Sequence, residues 1–209
     1  MSLNLQETFN SFNENDYRKF IKSFPRYKKS SFNKIREIRE INLSDNQITD
    51  ISPLKNLINL EWLNLCCNNI SDISPLENLV NLEYLSISGN QISDISALSN
   101  LVNLKMLNLN NNQISDISAL SNLINLESLY LECNQIFDLS PLKNLIHLNE
   151  LGLTKNKILD ISFLKDINIE ILWLDGNLID NPKYFPLEER LPNCKLCLYS
   201  DNWYGRDTE

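Results

Sequence analysis

The 209-residue chain has one histidine, four glycines, two methionines and five cysteines. Each scarcity removes a class of function. With His147 as the single histidine, neither a Ser-His-Asp triad nor a cluster of histidine metal ligands can be assembled. The glycines are isolated from one another, so no glycine-rich loop is available to cradle a phosphate. No stretch approaches the ~20 apolar residues of a membrane span, and residues 1–15 are mostly polar where a secretory leader would be apolar. The expectation is a cytoplasmic protein without a membrane segment; the alternative is one secreted by a signal-peptide-independent route. Cys66 and Cys67 are adjacent and Cys133 stands apart, which gives no disulfide framework and favours reduced thiols.

Positive charge is scarce where most of the chain lies. The net charge of −8 is unevenly spread. Residues 1–37 carry eight Lys/Arg against four Asp/Glu (+4), residues 38–181 seven against eighteen (−11), and residues 182–209 four against five (−1). The long central segment would repel nucleic-acid phosphates and steer basic surfaces toward itself. Nucleic acid is therefore not expected as a partner. The basic residues from Arg18 to Arg36 read as a solvated helix face and loop, with an anionic-lipid or RNA patch as the alternative.

What is present in excess is repetition. Asn46, Asn68, Asn90, Asn112, Asn134, Asn156 and Asn177 recur at steps of 22 residues, the last step being 21. A period in this range marks stacked units, none of which buries its apolar face alone. Each unit reads L-x-x-L-x-L-x-x-N-x-I-x-D-I-S-P-L-x-N-L-x-N with small variations. The L-x-L pair, such as Leu63 and Leu65, has period two and predicts a short strand with those leucines inward. Ile70, Ile73, Leu76 and Leu79 supply the apolar side of the return segment, where Asp-Ile-Ser-Pro-Leu suits a tight or 3₁₀ turn. The asparagines should form a ladder, because backbone leaving the strand is buried without a sheet partner and an amide both donates and accepts.

These signals predict an α/β repeat solenoid: a curved parallel sheet on the concave face, 3₁₀ or turn segments on the convex face, and a helical N-terminal cap. Residues 1–37 form the cap, residues 38–181 seven repeats, and residues 182–209 a C-terminal cap with a degenerate eighth strand and short tail. Tyr17, Phe20, Ile21 and Phe24 fall on one helix face, with Asn15 or Asp16 as N-cap and Pro25 closing the pattern. Asp180-Asn181-Pro182 looks like the start of the final cap. Leu187 and Leu191 share a helical face, and Leu196 and Leu198 point inward from the eighth strand, with Asp201 in the asparagine's place.

The repeated Asp-Ile-Ser-Pro-Leu and Asp-Ile-Ser-Ala-Leu segments at 50–54, 72–76, 94–98 and 116–120 closely resemble the 22-residue leucine-rich repeats of bacterial internalins. The stretch around Asn181-Pro182 and Leu191-Pro192-Asn193 resembles the cap of eukaryotic phosphatase-regulatory repeat proteins of the same subclass. The resemblance covers about residues 38–201. It implies a leucine-rich repeat fold and a habit of binding proteins through the concave face.

Three features with the look of chemistry reduce to structure. His147 occupies a position that other full repeats fill with Asn59, Asn81, Asn103 and Asn125. Cys194 and Cys197 have metal-site spacing, but residues three apart on a strand face opposite ways and no second pair exists. The Asp50, Asp72, Asp94, Asp116, Asp138 and Asp160 column offers one carboxylate per repeat, far short of a calcium shell of six to eight oxygens. No metal, cofactor or catalytic residue is expected.

Function is expected on the outward strand positions. The template gives three columns: Glu40, Trp62, Tyr84, Met106, Ser128, Glu150 and Ile171; Asn42, Asn64, Ser86, Asn108, Tyr130, Gly152 and Trp173; Ser44, Cys66, Ser88, Asn110, Glu132, Thr154 and Asp175. Trp62, Tyr84 and Met106 stack as consecutive rungs, and Tyr130 and Trp173 form a second aromatic group. Exposed aromatic residues ringed by polar ones have the composition of binding hot spots. The partner-binding set is Trp62, Tyr84, Met106, Tyr130, Trp173, Asn64, Asn108, Glu132, Glu150 and Asp175, with Glu61, Glu83, Glu127 and Glu170 around it. The expectation is a non-enzymatic, monomeric interaction module, a regulatory or targeting subunit for a protein with a basic surface and apolar centre. An internalin-like secreted effector or adhesin binding a host protein is the alternative.

Overall fold

In a computed structural model the described residues are 14–162, 164, 167–179 and 195–197. Eight three-residue strands run in parallel in one sheet, in chain order. They are β1 (Glu40–Asn42), β2 (Trp62–Asn64), β3 (Tyr84–Ser86), β4 (Met106–Asn108), β5 (Ser128–Tyr130), β6 (Glu150–Gly152), β7 (Ile171–Trp173) and β8 (Lys195–Cys197). The register pairs Trp62 with Tyr84, Tyr84 with Met106, Tyr130 with Gly152 and Gly152 with Trp173, so the three outward columns are physical rows across the strands. β8 pairs Leu172 with Leu196 and closes the described stack as an eighth strand. The remaining C-terminal features, at Asp180–Cys194 and Leu198–Glu209, lie outside the described residues.

The middle leucine of each strand is buried: Leu63, Leu85, Leu107, Leu129, Leu151 and Leu172 form one continuous column, with Ile41 at its start. Behind it, turns such as Ser52–Leu54, Ser74–Leu76 and Ser96–Leu98 are 3₁₀ helices. Aspartate side chains hold six of these turns: the Ser52, Ser74, Ser96, Ser118, Ser140 and Ser162 amides each donate to the Oδ1 of the aspartate two residues earlier, at 2.8 Å.

The asparagine column ties each unit to the one before it. Asn112 Nδ2 donates to the carbonyls of Ile87 (3.0 Å), Leu109 (3.1 Å) and Asn110 (3.2 Å), while its Oδ1 accepts from the Ile92 amide at 3.0 Å. Asn68, Asn90, Asn134 and Asn156 repeat the pattern, and all five are buried. The residue before each asparagine is left-handed: Asp45, Cys67, Gly89, Asn111, Cys133, Lys155 and Gly176 have φ between 54° and 69°.

The N-terminal helix α1 (Glu14–Ser23) packs against the first return turn, Ser52–Leu54. Phe20 and Phe24 are buried with ring centroids 5.0 Å apart, and Tyr17 Oη donates to the Ser30 carbonyl at 2.8 Å. One expectation is corrected here. Asn15 and Asp16 do not cap the helix but lie inside it. The short helix α2 (Phe32–Arg36) does carry a side-chain cap, Ser31 Oγ accepting from the Lys34 amide at 3.3 Å.

Candidate functional site

Alternation along three-residue strands leaves the flanking side chains nowhere to go but outward. Tyr84 is exposed; Trp62, Met106, Tyr130 and Trp173 are half-buried, because neighbours in a row cover one another's flanks. Trp62, Tyr84 and Met106 occupy consecutive strands of the first column. Tyr130 and Trp173 sit two strands apart in the second, and their ring centroids are nevertheless only 6.2 Å apart, inclined at 50°. The reason is Gly152, which stands between them in register and has no side chain to separate them.

The polar residues divide by what they already hold. Asn64 and Asn108 spend their Oδ1 atoms on the Cys66 amide (2.9 Å) and the Asn110 amide (3.0 Å), finishing the strands. Glu61 pairs with Arg39, and Glu83 Oε2 with Lys105 Nζ at 2.7 Å, so those two carboxylates are partly neutralised and exposed. Glu61, Glu83 and Glu127 line a lateral polar groove of about 740 Å³ that extends to His147. The acidic ring is thus weaker around Trp62 and Tyr84 than the sequence suggests.

Around Tyr130 it is stronger. Tyr130 Oη donates to Glu150 Oε2, and burial, followed by that bond, pushes the phenol well above its ordinary pKa. Glu132 lies over Gly152, its amide donating to Asn110 Oδ1 at 2.7 Å. Burial raises the Glu132 pKa against the opposing pull of its own amide and the Asn110 side chain. Thr154, next in the third column, is buried, and Asp175 is half-buried.

The residues outside this face behave as structure. Asn59, Asn81, Asn103 and Asn125 donate through Nδ2 to the carbonyls of Arg36, Ile58, Val80 and Val102, at 2.8–3.1 Å. His147 is exposed and makes no such bond. Cys66 Sγ lies 2.8 Å from Ser86 Oγ and 3.1 Å from Ser88 Oγ, and Cys66, Cys67 and Cys133 are free thiols. Cys194 and the Cys197 side chain lie outside the described residues.

Two apolar features escaped the sequence reading. Val80, Val102, Ile124 and Ile146 form an exposed stripe along the return side, and Phe137 and Leu159 are exposed on adjacent repeats. The first was visible as a β-branched residue before the last position of each unit, Asn81, Asn103, Asn125 or His147; the second as breaks in the row Thr49, Ser71, Ser93, Ser115.

The chain matches the family model described as Leucine Rich repeats (2 copies) at residues 36–78, 58–100, 80–122 and 102–144. It belongs to the leucine-rich repeat family. The solved structure of the internalin InlF from Listeria monocytogenes is similar at 38% identity and a TM-score of 0.77, over 87% of this chain and 54% of that one. Internalin C2 from Listeria monocytogenes is similar at 32% identity and a TM-score of 0.76, over 83% and 79%. A plant peptide hormone receptor, RGFR1, solved in complex with RGF2, is similar at 26% identity and a TM-score of 0.64, over 77% and 27%. This leucine-rich repeat chain spans about half the length of the InlF structure. No sequence among curated proteins matches it. Leucine-rich repeats are typical of protein-interaction modules, among them internalins and receptors.

Proposed function

We propose that the chain is a non-enzymatic interaction module that holds a protein partner on the strand face. The observation that carries this is the row order: Trp62, Tyr84 and Met106 on three consecutive strands, then Tyr130 and Trp173 closing over Gly152, all on the solvent side of the sheet. Large aromatic side chains held rigidly at a surface supply contact area at small entropic cost, the property that makes them hot spots. Glu150, Glu132 and Asp175 lie at the second aromatic group, so the partner presents a basic surface with an apolar centre. Nucleic acid is disfavoured by the same charge. Our reading is of a monomeric cytoplasmic module, acting as a regulatory or targeting subunit.

A second reading is favoured by the 38% identity to InlF: an internalin-like effector or adhesin, released from the cell and binding a host protein. The test is affinity capture from native lysate, with wild type beside a Trp62→Ala/Tyr84→Ala/Trp173→Ala variant. A partner held by wild type and lost by the folded variant supports strand-face binding. A partner retained by both moves the site to the N-terminal cap or the return side. Recovery of the protein from the culture medium rather than the cytosol would replace the regulatory reading with the effector one.

A further inference from the structure

The N-terminal cap concentrates the positive charge that the repeats lack. Residues 17–36 contain eight Lys/Arg and no acidic residue, ahead of a segment (38–181) that carries −11. On α1, Tyr17, Phe20, Ile21 and Phe24 turn to the core, and Arg18, Lys19 and Lys22 stand exposed on the opposite face. Lys28 and Lys29 follow the turn Pro25–Tyr27, Lys34 lies on α2, and all three are exposed. Lys19, Lys22, Lys28, Lys29 and Lys34 join no ion pair among the described residues.

This charge is segregated along the axis of the stack. Arg26 Nη1 donates to the Asn42 carbonyl of β1, and α1 packs on the first return turn, so the cap covers the end of the sheet that begins with β1. Strands follow one another at ~4.8 Å, and the Debye length at physiological salt is ~8 Å. From β3 onward the acidic repeats lie beyond that length from anything that meets the cap end-on. A flat anionic surface can therefore use the cations without facing the repeats, whereas a long polyanion lying along the stack cannot. The rings near the cations are spent inward: Phe20 and Phe24 are buried, the Tyr27 ring lies 5.2 Å from Phe20, and Tyr17 Oη is bonded to Ser30. Among the described cap side chains no stacking platform remains for nucleic-acid bases. Lysine ammoniums are compact point charges without a fixed recognition geometry. Laterally mobile lipid headgroups can gather beneath them; nucleic-acid phosphates are held at a set spacing.

We propose that the basic cap is a docking surface for a bilayer rich in anionic phospholipid, which it meets end-on, leaving the strand face clear of the membrane and open to a partner. The inference goes beyond the strand-face reading and does not depend on it. Attachment is peripheral and electrostatic, because no large apolar side chain of the described cap is exposed to enter the acyl layer.

The test is co-sedimentation of the full chain with vesicles of phosphatidylcholine alone and of phosphatidylcholine mixed with phosphatidylserine. The chain should sediment with the mixed vesicles at physiological salt, be released at high salt, and ignore pure phosphatidylcholine. Lys22→Gln/Lys29→Gln should weaken binding to the mixed vesicles about tenfold. Lys143→Gln/Lys157→Gln removes the same charge from exposed positions on the repeats and should leave binding unchanged. Thermal melts confirm that both variants are folded. Equal binding to the two vesicle types, persistence at high salt, or equal losses in the two variants would each overturn the proposal. Two further results would also overturn it. Tighter binding of single-stranded or duplex RNA than of the mixed vesicles gives the cap to nucleic acid. Self-association without vesicles, abolished by Lys22→Gln/Lys29→Gln in sedimentation velocity, gives it to the acidic repeats of a second copy.

Discussion

Replacing Asn112 by alanine removes four hydrogen bonds, yet they are not equivalent. The Ile87 carbonyl also accepts from Asn90 at 3.1 Å, and the Leu109 carbonyl from Asn134 at 3.0 Å, so both keep one donor. The Ile92 amide has no such reserve: its acceptor is Asn112 Oδ1, at 3.0 Å in a buried position. One orphaned buried amide costs about 1–3 kcal/mol, and a domain of this size loses roughly 2–4 °C in Tm per kcal/mol. Asn112→Ala should therefore lower Tm by on the order of 5 °C. Asn46 is the control. It opens the column, is exposed, and donates to Leu43 and Ser44 without a preceding repeat whose amide its Oδ1 could accept. Asn46→Ala should cost no more than ~0.5 kcal/mol, as at an ordinary surface site. Circular-dichroism melts and urea titrations of the two variants make the comparison. Equal losses at both positions, or an unchanged Tm for Asn112→Ala, would refute the ladder as the device that ties each repeat to the one before it.

Three further outcomes are expected. Leu107→Ala empties a fully buried position in the central leucine column and should cost ~2–5 kcal/mol, read as a lowered urea midpoint. Lys155→Gly relieves a non-glycine residue held at φ 55°, where glycine already stands at 89 and 176 in the same column. It should stabilise by up to about 1 kcal/mol, relief of the left-handed penalty exceeding the added chain entropy, and a lower Tm would contradict this. Glu132 has a folded-state pKa raised by burial, so the folded protein takes up its proton more readily than the unfolded chain. Its ionisation penalty is in full force at neutral pH and is relieved as pH falls through the raised value toward the ordinary ~4.3. The stability advantage of Glu132→Gln over wild type should accordingly be largest near pH 7 and shrink on acidification, and a difference independent of pH would refute the burial argument.

The parts of the molecule that recur with one chemistry in every repeat were legible in the sequence. The 22-residue step fixes the asparagine, the inward leucines and the aspartate of each 3₁₀ turn, because those roles demand one chemistry and recur in every unit. The left-handed column was not legible: five different residue types fill it, so nothing in composition marks a shared φ. Nor was the ring contact over Gly152. Glu132 and Gly152 are twenty residues apart in different columns, and Gly152 reads as a gap until Tyr130 and Trp173 are seen to lean across it. Counting carboxylates also overstated the charge beside Trp62 and Tyr84, because the pairs Arg39–Glu61 and Lys105–Glu83 each join residues one repeat apart. The α1 helix already contains Asn15 and Asp16, so those residues did not mark its start.

The claim that binding occurs on the strand face competes directly with the exposed Val80–Val102–Ile124–Ile146 stripe on the return side. A photo-crosslinking residue placed at Ser128, between Met106 and Glu150 on the strand face, and separately at Ile124 on the stripe, sets the two against each other in the native lysate. Capture of one protein from position 128 and none from position 124 is the expected result. Capture from position 124 alone would contradict strand-face binding and give the partner to the return side.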